Sequence, residues 1–583
     1  MLVLGLNFGN DASAAIVSDG EVLGASQEER FTRVKHDVRF PEAAIRFCLQ
    51  RAGARIEDCD AVAFFWNPGI HAQAFNARMS TRPRHHLEYL YNVPNHLLRG
   101  VPGDEVTGVE QIVRLRSGSR LHIHYVTHHL CHAASALFRS PFDEAALLTV
   151  DGYGERTATH MAAGRGLDIE SVHEIEFPHS IGSVYAAVTE YLGFRANSGE
   201  GKVMGLAAYG KPTYLPALRE LVPLTPDGFR VDLQYFSYYL ERERRVSDLF
   251  LDRFGPPRLP ESALDARHFD MAASLQALTE EVMVHLARVA RQKTGLRHLG
   301  VAGGVALNCM ANARIAREAG FDDCFFQPAA GDAGTALGAA LWVTHGVHRV
   351  PRRSTEIVDT LGPEYTDAEI SAELTKAAIP SVAVGDRGPE AAAALLASGR
   401  IVGWFQGRAE FGPRALGNRS ILADPRRADM KDILNRRVKF REGFRPFAPS
   451  VLAEEAGTLF TPDVMSPFML QALQTRADKR DVVPAVTHED GTARIQTVTR
   501  SANPRFHQLI VAFRALTAVP CVLNTSLNVR GEPIVHSVAD AIKCFYTTDM
   551  DAMFIGGFAL ARGADVESLL RGFAASAGDR PSA

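Results

Sequence analysis

The sequence of 583 residues lacks the features that mark several common classes of protein. Its seven cysteines are scattered and none belongs to a C-x-x-C pair, which argues against a disulfide scaffold and against a zinc ribbon. No apolar run approaches the roughly 20 residues that a membrane-spanning helix requires. The apolar residues at the N-terminus are interrupted by Asn7, Asn10 and Asp11, unlike those of a signal peptide. We therefore expect a cytoplasmic protein that binds no membrane.

The sequence also has no large excess of positive or negative charge. The chain has 63 lysines and arginines against 67 aspartates and glutamates, so a net charge of -4 gives no electrostatic case for binding nucleic acid. It is too long for a single hydrophobic core. The periodic pattern fades between Val347 and Thr366, which predicts one domain over residues 1–355 and a second over 356–583.

A candidate metal site lies between Tyr125 and Glu155. His128 and His132 are one helical turn apart, and Asp151 follows the predicted strand AALLTV. Two imidazoles and a carboxylate would hold a divalent cation and leave positions open for substrate. Taken alone, such a histidine pair often lies on a solvent-exposed helix face, and a DG-x-G turn often forms an ordinary hairpin. Asp332, which starts an Ala/Gly-rich helix, is either a helix cap or a fourth ligand.

The strand-turn-strand pattern around Asp151 also occurs at the start of the chain. LVLGLN, the turn FGNDAS and AAIVSDG correspond to AALLTV, the turn DGYGER and TATHMAAG. We interpret this as a duplicated unit whose two turns point at a common cleft. Gly152, in the second turn, would let the backbone approach an anionic group.

Glycine-rich stretches in the first half suggest a nucleotide site. NSGEGKVMGLAAYGK contains Lys202, and Gly303 and Gly304 precede a helix predicted to start after Asn308. Flexible loops and tight turns are the plain alternatives. A basic cluster that includes Lys35 and His36 is either solvated surface or a phosphate contact.

The second half groups cationic side chains with glycine, proline and amide residues. Exposed arginines alone would not explain this grouping, which favours a site for a phosphate or carboxylate. The residues concerned are Arg408, Arg414, Arg419, Lys439, Arg441, Arg445, Arg494, Asn524, Ser526, Asn528 and Arg530.

The charged and aromatic segment from Tyr235 to Arg267 reads as an insertion. It would serve as a substrate lid or as a partner surface, and exposed aromatic residues there would suit a homodimer contact.

Ten motifs in sequence order carry a resemblance to a known family. They are LGLNFGNDASAAIV, EERFTRVKH, HHLCHAASA, VDGYGE, SGEGKVMGLAAYG, GGVALN, GDAGTALGAA, FGPRALGNRSI, FRPFAPSV and NTSLNVRGEP, and they span nearly the whole chain. In these motifs the sequence resembles the O-carbamoyltransferase family of nodulation and antibiotic-tailoring enzymes.

The resemblance implies an α/β fold in two parts. The first is an actin/ribonuclease-H-like duplicated domain similar to the tRNA threonylcarbamoyl transferases, and the second is a smaller domain similar to threonylcarbamoyl-adenylate synthases. In the family, carbamoyl phosphate and ATP, with Mg²⁺, give carbamoyl adenylate, and the carbamoyl group passes to a hydroxyl of a small secondary metabolite.

The resemblance also implies residue roles. A divalent metal, usually iron(II), would bind His128, His132, Asp151 and Asp332. ATP or the adenylate would contact Gly152, Lys202, Gly303, Gly304 and Asn308. Carbamoyl phosphate would contact Arg414, Lys439, Arg445, Arg494, Asn524, Ser526 and Asn528, and the catalytic set would comprise Asn10, Asp11, Lys35 and His36.

The chain departs from the family at Asn10, where other members commonly have histidine. An amide cannot act as a base near neutral pH, so Asp11 or His36 would have to deprotonate the acceptor. Two other functions stay open at this point: an actin-fold phosphotransferase of the sugar-kinase kind, and a binding protein that has lost transfer activity.

Overall fold

The computed structural model describes residues 1–67, 108–240, 244–353 and 357–574, which divide between two units. The first unit comprises Met1–Glu28 and His36–Ile357, and the second comprises Glu29–Lys35 and Val358–Ala583. The chain therefore leaves the first unit after Glu28 and returns to it at His36. The sequence prediction had placed residues 29–35 in the first domain.

The first sheet of the first unit is built on the apolar strand LVLGLN, which is buried from its second residue onward. The sheet has the order β3-β2-β1-β4-β6-β5, in which β1, β2 and β3 are antiparallel neighbours and β4 runs parallel to β1. Its strands are β1 (Leu2–Asn7), β2 (Ser13–Ser18), β3 (Glu21–Gln27), β4 (Ala61–Phe64), β5 (Gly108–Arg114) and β6 (Arg120–Val126).

The second sheet follows the same plan with the order β13-β12-β7-β8-β9. Again three antiparallel strands are followed by two that run parallel to the first, so the expected duplication and α/β class are confirmed. Its strands are β7 (Glu144–Val150), β8 (Thr157–Arg165), β9 (Asp168–Glu176), β12 (His298–Ala302) and β13 (Asp323–Phe326), while β10 (Leu224–Thr225) and β11 (Gly228–Phe229) form a separate ribbon.

The first unit has helices between and after its strands. They are α2 (Glu42–Ala52), α3 (His128–Phe138), α4 (Ile181–Tyr191), α5 (Glu200–Ala207), α6 (Leu215–Leu221), α7 (Asp248–Phe254), α8 (Ala266–Thr294), α9 (Cys309–Glu318) and α10 (Ala333–Leu341), and α1 (Glu28–Thr32) spans the passage between the units. In the described ranges every helix is too short or too polar to cross a bilayer.

Two fully buried helices, α3 and α10, pack at very short range because small residues line their contact. A Cβ atom added at Gly338 of α10 would lie 1.8 Å from the carbonyl oxygen of Cys131 in α3. On the other side of α10, a Cβ atom at Gly5 of β1 would lie 1.9 Å from the carbonyl oxygen of Ala336. The sequence AGTALGAAL thus fixes the position of the helix that follows Asp332.

The second unit contains a mixed sheet with the order β14-β24-β23-β15-β16-β22-β17-β21 and a small sheet of β18, β19 and β20. Its strands are β14 (Val382–Ala383), β15 (Val402–Phe405), β16 (Arg419–Ala423), β17 (Ala448–Leu452), β18 (Phe460–Thr461), β19 (Ala472–Thr475), β20 (Thr492–Arg494), β21 (Gln496–Val498), β22 (Cys521–Ser526), β23 (Ala552–Ile555) and β24 (Phe558–Ala561). Its helices are α11 (Asp367–Lys376), α12 (Gly388–Ala397), α13 (Met430–Leu434), α14 (Ala456–Leu459), α15 (Pro504–Thr517), α16 (Val538–Tyr546) and α17 (Ala564–Arg571).

Residues 29–35 are held in the second unit by side-chain contacts with its backbone. Arg33 donates hydrogen bonds to the carbonyl oxygens of Ile534, at 2.6 Å, and Pro533, at 2.8 Å. The buried Arg30 donates to the carbonyl oxygen of Gly412 at 2.6 Å. We call residues 29–35 the crossing segment.

The aromatic segment from Tyr235 to Arg267 is not the exposed insertion that the sequence suggested. Phe236 and Phe250 are 1% and 0% exposed, and their ring centroids are 5.7 Å apart. Phe250 also packs against Tyr191 of α4, with centroids 5.2 Å apart. These aromatic side chains belong to the core of the first unit, which removes the argument for a lid or a dimer contact built on them.

Candidate functional site

The four residues expected to bind a metal come together in the first unit. The Nε2 atoms of His128 and His132 are 3.1 Å apart, and His132 Nε2 lies 3.1 Å from Asp151 Oδ2. Asp332 Oδ1 is 3.8 Å from both Nε2 atoms. One ligand atom of each residue lies within 4.8 Å of all the others. Donors at this spacing can surround one ion at about 2.1 Å from each.

The electrostatics of this cluster also fit a cation. Burial disfavours the charged form of His132, but its hydrogen bonds to Asp151 and Asp332 prevail and raise its pKa to about 9. Burial and the nearby Asp151 carboxylate raise the pKa of Asp332. Two half-buried carboxylates close together thus favour positive charge between them, which a divalent cation supplies.

Backbone and carboxylate contacts fix the ligands in place. Asp151 accepts hydrogen bonds from the backbone N–H groups of Gly152, at 2.6 Å, and Gly304, at 2.9 Å. Glu155, which is buried, accepts from the N–H groups of Asn67 at 2.7 Å and His128 at 3.0 Å. Glu155 therefore holds the start of helix α3, a role that sequence reasoning missed although the residue stands four positions after Asp151.

Asp332 does not act as the helix cap that was its alternative role. Its side chain makes no capping hydrogen bond at the start of α10 and lies beside the two histidines instead. His129, by contrast, is structural: its ring contacts Thr149 Oγ1 at 2.6 Å and the carbonyl oxygen of Thr157 at 2.9 Å. Burial holds the pKa of His129 well below its usual range, so it is a neutral core residue.

Several residues expected to contact a nucleotide make intramolecular contacts. Gly303, with φ 93°, lets the chain approach β7, where an added Cβ atom would lie 2.2 Å from the carbonyl oxygen of Val150. Asn308 caps helix α9 by accepting from the N–H of Ala311 at 3.1 Å. The ammonium of Lys202 lies 5.4 Å from the ring centroid of Phe194.

The first turn carries the candidate catalytic residues. Asn10 is exposed, whereas Asp11 is half-buried and its Oδ1 lies 2.7 Å from Nδ1 of His36. Lys35 belongs to the crossing segment, and its charge contributes to lowering the pKa of Lys439 within the second unit. The structure thus pairs Asp11 with His36 and puts Lys35 with the cationic residues of the second unit.

Lys439 is the centre of the candidate anion site. It is 3% exposed, and its ammonium donates to Asn528 Oδ1 at 2.8 Å and to the backbone and hydroxyl oxygens of Ser526. Burial, and then the charges of Arg441 and Arg445, hold its pKa well below the lysine range. A buried cation with cationic neighbours favours a bound anion.

The charges of nearby arginines act on Lys439 and on one another. Burial lowers the pKa of Arg441 to about 9, with help from the charges of Arg445 and Arg494. Burial also lowers the pKa of Arg445, and the charge of Arg530 adds to this effect. Glu442, 3.9 Å from Arg445 and 3.8 Å from Arg530, offsets part of this charge. We call Lys439, Arg441, Arg445, Arg494 and Arg530 the cationic cluster.

Two other arginines of the sequence-predicted set make structural hydrogen bonds. Arg419 is fully buried and donates to the carbonyl oxygens of Gln406 and Asn418, and Arg408 donates to that of Leu361. Both are therefore structural. Arg414 is half-buried in the loop between β15 and β16.

Asn524 belongs to a buried polar network. Its Nδ2 donates to Ser450 Oγ at 2.9 Å, to Gln496 Oε1 at 3.2 Å and to the carbonyl oxygen of Ala415 at 3.2 Å. Within the described part of the chain its buried Oδ1 meets no hydrogen-bond donor. Ser450 and Gln496 had no sequence signal, because single polar residues in strands are common.

Two carbamoyltransferase families match the sequence. The carbamoyltransferase N-terminus matches residues 2–341 and the carbamoyltransferase C-terminus matches residues 393–562. The chain belongs to the carbamoyltransferase family. It is 38% identical to nodulation protein NolNO of Sinorhizobium fredii over 95% of this chain and 79% of that protein.

The chain is also similar to a second nodulation protein and to a solved structure. The carbamoyltransferase is 42% identical to nodulation protein NolO of Bradyrhizobium diazoefficiens over 74% of this chain and 78% of that protein. Among solved structures, component A of (R)-2-hydroxyglutaryl-CoA dehydratase from Acidaminococcus fermentans is 15% identical, with a TM-score of 0.32, over 60% of this chain and 99% of that chain.

Proposed function

We propose that this carbamoyltransferase is ATP-dependent: it converts carbamoyl phosphate and ATP to carbamoyl adenylate and transfers the carbamoyl group to a hydroxyl of a small metabolite. Family membership supports carbamoyl transfer. The adenylate route and the residue roles are our inference.

The cationic cluster is the observation that carries the proposal. Five basic side chains act on one another through their charges, and burial is the largest cause of the lowered pKa values of Lys439 and of the half-buried Arg441. Like charges held together away from water destabilise each other until an anion enters. The oxygens of a phosphate match the donors that arginine and lysine present.

One amide side chain, that of Asn524, adds a reason for a carbamoyl group. The buried Oδ1 of Asn524, which meets no donor within the described residues, would accept a hydrogen bond from a carbamoyl NH₂. Ser526 and Asn528, already bonded to Lys439, would contact the remaining phosphate oxygens.

The chemical balance of adenylate formation fixes its products. Carbamoyl phosphate first loses phosphate to water, and the resulting carbamate oxygen attacks the α-phosphorus of ATP while the bond to diphosphate breaks. The cationic side chains stabilise the charge that develops on the leaving group. One phosphate and one diphosphate are released for each carbamoyl adenylate.

In the first unit, His128, His132, Asp151 and Asp332 would hold a divalent metal, for which iron(II) is our proposal. When bound, this ion supplies a Lewis acid for the phosphate of the adenylate. Glu155 holds the backbone N–H of His128, and the N–H groups of Gly152 and Gly304 hold the Asp151 carboxylate.

The test is mass spectrometry of the purified protein with ATP, Mg²⁺ and carbamoyl phosphate. We expect carbamoyl adenylate and equal amounts of phosphate and diphosphate, and the loss of all three in Lys439→Met. Arg436→Met removes an exposed cation from the same helical segment, Asn435–Lys439, and should keep the activity.

A phosphotransferase would behave differently in this assay. It would consume ATP without carbamoyl phosphate and would form ADP rather than diphosphate. That result, or adenylate formation that survives in Lys439→Met, would contradict the proposal.

A further inference from the structure

The structure contains a hydrogen-bonded chain of three side chains in the first unit: Asp11, His36 and Ser198. Asp11 Oδ1 lies 2.7 Å from His36 Nδ1, and Ser198 Oγ lies 3.2 Å from His36 Nε2. When Nδ1–H donates to the carboxylate, Nε2 carries a lone pair and accepts from a hydroxyl. Asp11 thus selects the tautomer in which Nε2 is a base.

The backbone is shaped to make this contact. Asp11 and His36 have φ of 43° and 55°, and Asn197, next to Ser198, has φ of 60°. Residues with a side chain rarely adopt this left-handed conformation, and such positions concentrate at functional sites. Backbone hydrogen bonds from Gly9 to Val38 and from Ala12 to Asp37 join the two segments that carry the pair.

The buried residue Asn7 links this pair to the candidate metal site. Its Nδ2 donates to the carbonyl oxygens of Asn10 at 2.9 Å and of Asp332 at 2.6 Å. Ser13 adds a second link, since its hydroxyl donates to the carbonyl oxygen of Ala333 at 2.7 Å. The turn before Asp11 is therefore fixed to the start of helix α10.

Ser198 shows that a hydroxyl fits at His36 Nε2. Ser198 is exposed and lies two residues before helix α5, so a substrate hydroxyl can take the place of its hydroxyl. Asn10, in the same turn, has no basic atom.

We propose that His36 is the general base of carbamoyl transfer, that Asp11 orients it, and that Ser198 occupies the position of the acceptor hydroxyl until the acceptor binds. This inference rests on the proposed function and assigns its acceptor site. The acceptor proton moves to His36 Nε2 while the acceptor oxygen bonds to the carbamoyl carbon. The bond from that carbon to the AMP oxygen breaks, and AMP leaves with the electron pair.

The experiment measures the two half-reactions separately in the full chain. Diphosphate release reports adenylate formation, and AMP release together with carbamoyl-glycerol reports transfer, with glycerol and water as the acceptors offered. His36→Gly is the main variant, because glycine adopts a φ of 55° freely and leaves room for imidazole.

We expect His36→Gly to release diphosphate at the wild-type rate and to release AMP about 100-fold more slowly or worse, the usual contribution of a general base. Added imidazole should restore AMP release. Asp11→Asn, which tolerates a left-handed φ, should lower kcat for transfer with the KM for ATP unchanged. Ser198→Ala should lower the KM for glycerol and leave kcat unchanged.

Asp19→Asn is the matched control, since Asp19 has a φ of 46° in another turn of the same sheet. It should leave both half-reactions unchanged. Transfer at the wild-type rate in His36→Gly, or a loss that imidazole does not restore, would overturn the assignment.

Two results with the wild-type protein are also decisive. Diphosphate release with AMP release no faster than the breakdown of free carbamoyl adenylate would overturn the role of His36 alone. Absence of diphosphate release would overturn the proposed function and this assignment together.

Discussion

Lys439 and Asp332 show the same physical situation with opposite charge. Burial, and then the charges of nearby arginines, hold the pKa of Lys439 well below the usual lysine range. Burial, and then the Asp151 carboxylate, raise the pKa of the half-buried Asp332. In each case the protein holds an ionisable group where its charged form lacks sufficient compensation. A ligand of opposite charge relieves that cost, so both residues indicate what should bind.

Binding of carbamoyl phosphate should therefore be coupled to proton uptake. The pKa of Lys439 lies below its ordinary value in the free protein, and a bound phosphate should raise it. Between these two pKa values the complex holds more protons than the free protein, so affinity should fall as pH rises through that window.

Titration calorimetry in two buffers of different ionisation enthalpy checks this coupling. The observed enthalpy should differ between the buffers for the wild type and differ less for Lys439→Met. An identical enthalpy in both buffers across that window would contradict the prediction.

The sequence allowed most of the candidate metal cluster to be predicted because the spacing of three of its members is local. His128 and His132 are one turn apart, and Asp151 ends a recognisable strand. Asn7, Glu155 and Ser198 had no such signal, since their partners lie far away in sequence: Asp332, Asn67 and His36 respectively. Isolated polar residues become candidates only when folding brings their partners close.

At the level of elements, helices α3 and α10 together support the candidate metal ligands. Both are fully buried, and α3 carries His128 and His132 while Asp332 stands directly before α10. Their backbones approach closely because Gly338 has no side chain. Any residue larger than glycine there must separate the two helices.

Gly338→Ala should damage stability and metal binding together. The added methyl group would meet the backbone at Cys131, so we expect a loss of about 3 kcal/mol or more in the free energy of unfolding. Gly201→Ala, in helix α5, adds a methyl group with nothing within 4 Å and should change stability by less than about 1 kcal/mol. Denaturant unfolding and metal titration of both variants provide the comparison, and equal behaviour would contradict the prediction.

The order of strands and turns could also be predicted from the sequence, whereas the burial of individual side chains was harder to predict. The alternating strand-turn-strand strings predicted the duplicated sheets because each repeat unit is continuous in the chain. The segment from Tyr235 to Arg267 gave a wrong prediction because its 12 charged residues outnumber its 6 aromatic residues. Only the fold shows that Phe236 and Phe250 point inward.

For the whole molecule, a bound metal should contribute to thermal stability. The four ligands come from helix α3, the end of strand β7 and the start of helix α10, so binding opposes unfolding of the first unit. A free metal concentration of 100 times the Kd adds about 2.7 kcal/mol to the free energy of unfolding.

Calorimetry with and without chelator checks this contribution. The wild-type Tm should fall when metal is removed, and the Tm of His132→Asn should not respond. His348→Asn, which changes an exposed histidine of the same unit, should respond as the wild type does. A wild-type Tm that is the same with and without metal would contradict the prediction.

The crossing segment constrains how this protein can be divided between genes. A single cut near residue 357 leaves residues 29–35 on the first polypeptide, although Arg30 and Arg33 bond to the backbone of Gly412, Pro533 and Ile534 on the second. Neither product would be a self-contained domain. A fission event in evolution would have to keep both fragments expressed together, or transfer the segment, whereas fusions at either terminus leave it intact.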